Sequence, residues 1–201
     1  MSIKRFAAPA DLNTGDDWTP GPSEYKHFSA RRVKEGERVH LIAGSRRWLA
    51  EVTSTDPLTL RVISPADAPP PLPLSIAVAV PSANRASVMV EKCCEFGLSR
   101  FLPMTCERSV VNPKNPSKLV ARWSRVAMAA AKQSGAQVTR IARPVEYEQL
   151  LQHVSHPVLL HPGGDTSLVE HFAANSDIEH TIFIGPEGGF TPAETEQALE
   201  T

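Results

Sequence analysis

The stretch that most restricts this chain is residues 67–73 (DAPPPLP), with four prolines in seven positions. Proline fixes φ and removes a backbone donor, so neither a helix nor a central strand passes through such a run. It is a stiff spacer, and it predicts two separate folding pieces, residues 1–70 and residues 74–201. The rhythm of the sequence changes across it. Before the break, residues 39–43 and 46–52 read as strands, with Gly44-Ser45 between them as a two-residue hairpin turn. Residues 58–63 (LTLRVI) alternate as a third strand. Short strands in quick succession predict a small barrel or sandwich. Residues 1 to about 22 are rich in Pro, Asp and Gly and read as an irregular lead-in; residues 23–30 read as a short helix carrying His27.

After the break, residues 74–80 form a continuous apolar run, as expected of a strand covered on both faces. Residues 84–96 read as a helix stopped by Gly97, and residues 100–104 as a short strand. The clearest helix is 116–133, where Leu119, Trp123, Val126 and Ala130 give an apolar stripe. Lys118, Arg122, Arg125 and Lys132 make a basic stripe about 100° round the same axis. Residues 158–160 read as a strand and 167–174 as a helix. Strands alternating with helices predict an α/β domain with a largely parallel sheet.

Residues 181–196 (TIFIGPEGGFTPAETE) join three signals end to end. A β-branched apolar run suits a buried strand. Gly185-Pro186-Glu187-Gly188-Gly189 cannot continue it, and its glycines allow positive φ and close backbone approach. Thr191, Pro192 and Glu194 then supply an N-cap, a first-turn proline and the far end of a capping box. On spacing alone this suits an ordinary strand-to-helix turn as well as a binding edge made of loop and helix N–H groups. It is neither a P-loop nor a dinucleotide fingerprint, since Gly-Lys-Ser/Thr and G-x-G-x-x-G are both absent. An acid inside the loop argues against polyphosphate.

Composition is that of an ordinary globular chain, 41% hydrophobic and 21% charged. No apolar run approaches the roughly 20 residues of a membrane helix, and the first residues lack an apolar signal core. Both point to a cytoplasmic protein. Three cysteines, two of them adjacent, match neither zinc spacing nor a disulfide framework and read as packed thiols. The histidines lack ligand spacing, so no metal site is expected. Net charge is −1, yet residues 85–143 carry eleven Lys/Arg against three acids, and residues 144–201 carry ten acids and no Lys or Arg. Such asymmetry suits an anion-binding surface opposite a solvated acidic one.

Several segments in order carry a resemblance. IGPEGG followed by T-x-x-E resembles the signature of the 16S rRNA (uracil-N3) methyltransferases, a branch of the SPOUT superfamily of knotted RNA methyltransferases. Residues 91–97 (EKCCEFG) resemble that family's "EKATELG" helix end, and residues 103–111 (PMTCERSVV) its "P-x-x-T-E-R-S-V-V". Residues 123–135 (WSRVAMAAAKQSG) are similar to "W-x-x-I-x-x-E-A-x-x-Q-S-G", and Leu160-His161-Pro162 to its "LHP" strand end. The resemblance runs from about Glu24 to the last residue. It also has departures. The first-domain run between His27 and Gly36 is one residue short, the acid of "F-D-G" is Ala43, and the arginine after "Q-S-G" is Ala136.

The resemblance implies a PUA-like β-barrel followed by a trefoil-knot methyltransferase domain, acting as a homodimer on 16S rRNA in the small ribosomal subunit. Family members continue beyond the position of Thr201 through a strand, a loop and a helix, so the sequence reads as C-terminally truncated. The implied cofactor is S-adenosylmethionine, against Leu160, His161, Pro162 and Gly185, Pro186, Glu187, Gly188 and Gly189. Arg108 is the expected catalytic group, holding the target phosphate or the uracil oxygens; the plainer reading is a surface ion pair with Glu107 or Glu91. Arg31, Arg32, Arg122, Arg125, Gln133 and Ser134 are the other expected RNA contacts. His161, at a strand end, reads as structural. Two other functions fit the same residues: a SPOUT enzyme methylating another RNA position, and a non-catalytic RNA-binding protein.

Overall fold

A computed structural model describes residues 3–81, 83–176 and 178–200. Met1, Ser2 and Thr201, which the sequence-based domain bounds take in, lie outside the described residues. The chain forms two units, one of Met1–Pro70 with Met128–Val138, the other of Pro71–Ala127 with Thr139–Thr201.

The first unit contains β1 (Arg5–Ala7), β2 (Asp17–Trp18), α1 (Pro22–Ala30), β3 (Arg38–Ala43), β4 (Arg46–Thr55) and β5 (Leu58–Pro65). Its sheet has the order β1-β3-β4-β5-β2. The alternation of β5 is realised: Leu58, Leu60 and Val62 are buried while Arg61 and Ile63 face out. Gly44 has φ +63, as the tight β3–β4 turn requires. Phe28 of α1 is fully buried and stacks on Phe6 with ring centroids 3.6 Å apart.

The expected irregular lead-in is not borne out over its described residues, 3 to about 22. They supply both edge strands of this sheet. β1 pairs in parallel with β3, Phe6 opposite Leu41, and β2 pairs antiparallel with β5. Strands of three and two residues are too short to show a period. Distant partners complete their hydrogen bonds, and an Arg61–Asp17 fork at 2.9 and 2.7 Å fixes the second.

The second unit opens with β6 (Leu72–Ala79), α2 (Ala83–Glu95) and β7 (Leu98–Thr105). Helix α3 (Pro116–Ser134) follows, with its last turns in the first unit. Then come β8 (Arg140–Ile141), β9 (Val145–Glu146), α4 (Tyr147–Leu151), β10 (Pro157–Leu159), α5 (Leu168–Ala174), β11 (His180–Ile184) and α6 (Pro192–Leu199). The sheet runs β10-β11-β6-β7-β8, every pairing parallel, with β9 also on β7. Both faces are covered. Phe101 meets Trp123 of α3 edge-on at 5.5 Å, while Leu102 and Met104 join Phe183, Tyr147 and Phe190 on the other side. Trp123 and Phe183 are fully buried, and each such side chain stabilises the fold by about 1.5–3 kcal/mol. The sequence does not announce β8, β9 or α4, whose lengths of two to five residues carry no periodic signal.

Among the described residues no helix is long and apolar enough to cross a membrane. No group of three or more His, Cys, Asp or Glu among them is placed to hold a metal ion.

Candidate active site

Because β10, β11, β6 and β7 are parallel, their carboxyl ends share one edge of the sheet. From β6 the chain goes to β7 on one side; it later returns to β11 on the other. The ends of β6 and β11 thus flank a topological switch point, where open α/β sheets bind ligands. The segment after β11 is the glycine loop. Its backbone folds into a turn, with the Gly189 N–H donating to the Pro186 carbonyl at 2.8 Å. Gly189 takes φ +69, which favours glycine. Leu160, just past β10, donates its N–H to the Phe183 carbonyl at 3.0 Å and stays beside β11 with a 39% exposed side chain.

The glycines differ in what they are for. A Cβ on Gly185 would lie 3.0 Å from the Phe190 ring, so that glycine makes room for an internal aromatic. A Cβ on Gly188 would meet only the Arg108 side chain, at 3.5 Å, an ordinary contact. The exposed carboxylate of Glu187 pairs with Arg85 near the start of α2 at 3.0 Å. That pair joins the segments that follow β6 and β11 and is worth about 0–1 kcal/mol in so wet a setting.

Arg108 sits on the turn after β7. Its Nη1 donates to the carbonyls of Gly188 at 3.0 Å and Phe190 at 3.4 Å. It makes no ion pair with Glu107 or Glu91. The side chain is exposed, so its other guanidinium nitrogens face solvent beside the glycine loop. The turn is held by Glu194 of α6. One Glu194 oxygen closes the capping box on Thr191, and the other accepts the Glu107 N–H at 3.0 Å. The Tyr147 hydroxyl donates to the Glu194 carbonyl at 2.7 Å, and burial first, then the Glu194 charge, pushes that phenol up to about 12.

Residues 68–201 match the family described as RNA methyltransferase domain. The chain belongs to that family. It is 29% identical over 136 residues to "Ribosomal RNA small subunit methyltransferase E" of Synechocystis sp., covering 64% of this chain and 44% of the relative. It is 24% identical over 181 residues to the protein of the same name from Aquifex aeolicus, covering 86% of this chain and 77% of that one. The chain thus spans under half the length of the Synechocystis relative. Among solved structures, a ribosomal RNA small subunit methyltransferase E from Neisseria gonorrhoeae bound to S-adenosyl methionine superposes with TM-score 0.82 at 22% identity, over 99% of this chain and 86% of that one. A putative methyltransferase from Legionella pneumophila in complex with SAM gives 0.80 at 21%, over 100% and 86%. These likenesses establish the α/β methyltransferase fold with its parallel sheet.

The remaining expected residues of this RNA methyltransferase family member are divided between the two units. Leu160 and His161 also line an open hollow of roughly 330 Å³ against α5, and residues 185–189 are not part of its lining. The His161 Nδ1 accepts the Gly163 N–H at 3.1 Å, a turn-closing role. Arg122 bonds Ser87 at 3.3 Å and Arg125 the Ala121 carbonyl at 3.4 Å, both in the second unit. Gln133 and Ser134 belong to the first unit, where Ser134 bonds back to the Ala130 carbonyl at 2.9 Å. Arg31 and Arg32 follow α1, also in the first unit. All three cysteines are buried; burial pushes Cys93 up to about 11 and Cys106 to about 12, which disfavours the thiolate at both. Sequence reasoning missed Arg85, Phe190 and the second bond of Glu194. Only the phenylalanine directly after a glycine pair gave a local hint.

Proposed function

We propose that the chain methylates N3 of a uridine in 16S rRNA with S-adenosylmethionine as methyl donor. The observation that carries this is Arg108 fastened to the glycine loop at the carboxyl edge of the sheet while keeping free donors. In this reading Leu160 and the backbone of Gly185, Pro186, Glu187, Gly188 and Gly189 hold the cofactor. The exposed Leu160 side chain and the neighbouring loop backbone fit an adenosine, offering apolar surface beside hydrogen-bonding groups. The cofactor supplies an activated methyl group, so no further electrophile is needed. What remains is to orient the uracil and stabilise its ring once the N3 proton leaves. Arg108 does this through donors directed at a uracil oxygen or the adjacent phosphate. Glu194 positions Arg108 by holding the Glu107 N–H.

The first unit is read as a PUA-like RNA-binding barrel, the second as a trefoil-knot domain that pairs with a second copy. Arg31, Arg32, Arg122, Arg125, Gln133 and Ser134 belong to the proposed RNA surface. One observation favours a second reading, a non-catalytic RNA-binding protein: the hollow beside Leu160 does not extend to residues 185–189. Calorimetric titration with S-adenosylmethionine, followed by mass spectrometry of small-subunit RNA incubated with protein and cofactor, separates them. Micromolar cofactor binding and a new N3-methyluridine support the enzyme. A methyl at another position supports a sister specificity, and RNA binding without cofactor binding supports the second reading. Sedimentation of the protein tests the dimer.

A further inference from the structure

The end of α1 in the first unit puts an arginine where a helix stop usually has glycine. Helix α1 has its C-cap at Arg31, and the next residue, Arg32, has φ +49. Glycine is the usual residue at this left-handed position after a cap, and side-chain-bearing residues rarely adopt it. Lys4 Nζ donates to the Arg32 carbonyl at 3.4 Å, helping to hold the bend. The Arg32 guanidinium makes no bond to any described residue and lies in solvent.

Beside it is a hollow of roughly 190 Å³. Tyr25, 45% exposed, forms one wall, Val33 and the buried Leu58 the apolar floor, and Ser29, Thr55 and Arg32 the polar rim. This is below the about 300–1,000 Å³ of a pocket for a drug-sized molecule, and it suits one flat ring. No acid lines it. The surrounding residues 26–47 carry seven Lys/Arg against two acids, and one of those acids, Glu37, is already bonded to Lys4 at 2.8 Å. An exposed ring, an apolar floor and an uncommitted guanidinium side by side are the elements of single-strand recognition, in which bases stack on aromatic faces and phosphates meet cations.

We propose that this hollow takes one unpaired nucleotide of the RNA, its base against Tyr25 and its phosphate against Arg32. The inference rests on the reading of the chain as an RNA-binding enzyme and adds a subsite to it.

The test is fluorescence anisotropy of the full chain with a labelled single-stranded oligouridine and with a duplex RNA, across a salt series. Tyr25→Ala is expected to weaken single-strand binding about tenfold or more, with duplex binding unchanged, while Tyr25→Phe keeps the affinity. Arg32→Ala is expected to flatten the slope of log affinity against log salt by about 0.7, the share of one phosphate on a single strand. Ultraviolet cross-linking should mark the Tyr25 peptide, and thermal midpoints check that the variants fold. Wild-type single-strand affinity in both alanine variants overturns the subsite and leaves the RNA reading intact. A wild-type chain that retains no RNA overturns both.

Discussion

Two glycine turns in this molecule are held by arginines, and they are held differently. At the end of α3, in the first unit, Arg47 donates to the carbonyls of Gly135 at 2.9 Å and Ala136 at 3.2 Å. Arg5 reaches the Gln133 carbonyl at 3.5 Å, and its guanidinium lies 2.6 Å from where a Gly135 Cβ would stand. In the second unit Arg108 does the same for the carbonyls of Gly188 and Phe190. Arg47, however, is 8% exposed, whereas Arg108 is open to solvent. The buried cation answers the partial negative charge of a helix C-terminus and is spent on structure. The exposed one secures a loop and, in the proposed function, offers its remaining donors to a ligand. Arg47 also stands by the turn where the resemblance leads one to expect an arginine at position 136, but it is buried and bonded to backbone, so it does not replace that contact.

Breaking the buried member should cost most. Arg47→Met keeps the aliphatic stem and removes the donors, leaving two carbonyls to find other partners. Unfolding free energy is expected to fall by about 2–3 kcal/mol in urea titration; a change under about 0.5 kcal/mol would mean that water replaces the guanidinium. Arg108→Ala should do the reverse, slowing methyl transfer about 100-fold while stability stays within about 0.5 kcal/mol. Unchanged methyl transfer with a large stability loss would put Arg108 in the same class as Arg47.

The glycines sharpen the comparison next. Gly185→Ala forces a methyl to 3.0 Å from the Phe190 ring, an overpacking of about 1–3 kcal/mol. Gly188→Ala meets only ordinary contact at 3.5 Å and should leave stability within about 0.5 kcal/mol. Equal effects from the two would show that the loop shifts as a whole.

The smallest effect concerns His40. Burial, then Arg47 and Arg5, holds its imidazole below the ordinary 6.5. As pH falls through that value the unfolded chain takes up a proton that the folded chain refuses, so stability is full above it and declines below, until the folded imidazole also protonates. Urea midpoints on either side of 6.5 should show this slope, and His40→Gln should reduce it. A slope as steep in His40→Gln as in the wild type would assign it to other groups.

How far the sequence was legible follows from where each signal resides. The strand, loop and capped helix of residues 181–196 are local, and Thr191 with Glu194 forms the capping box that the spacing predicts. The parallel sheet was readable because β6 is apolar but for Ser75. By contrast, β1 and β2 exist only through pairing with β3 and β5, and no residue within the lead-in encodes that. The glycine loop was readable as a turn, but not that Gly185 makes way for Phe190 or that Arg108 fastens to Gly188. The second contact joins positions 80 residues apart in the chain, beyond the reach of a periodic pattern, and the first depends on how the loop folds back on itself.

The carboxylate of Glu194 has a mechanical consequence. It ties the first turn of α6 to the segment bearing Arg108, and Arg108 in turn grips the loop that leads into α6. The three form a closed bracket. A displacement of the loop is therefore transmitted to the guanidinium through its bonds to Gly188 and Phe190.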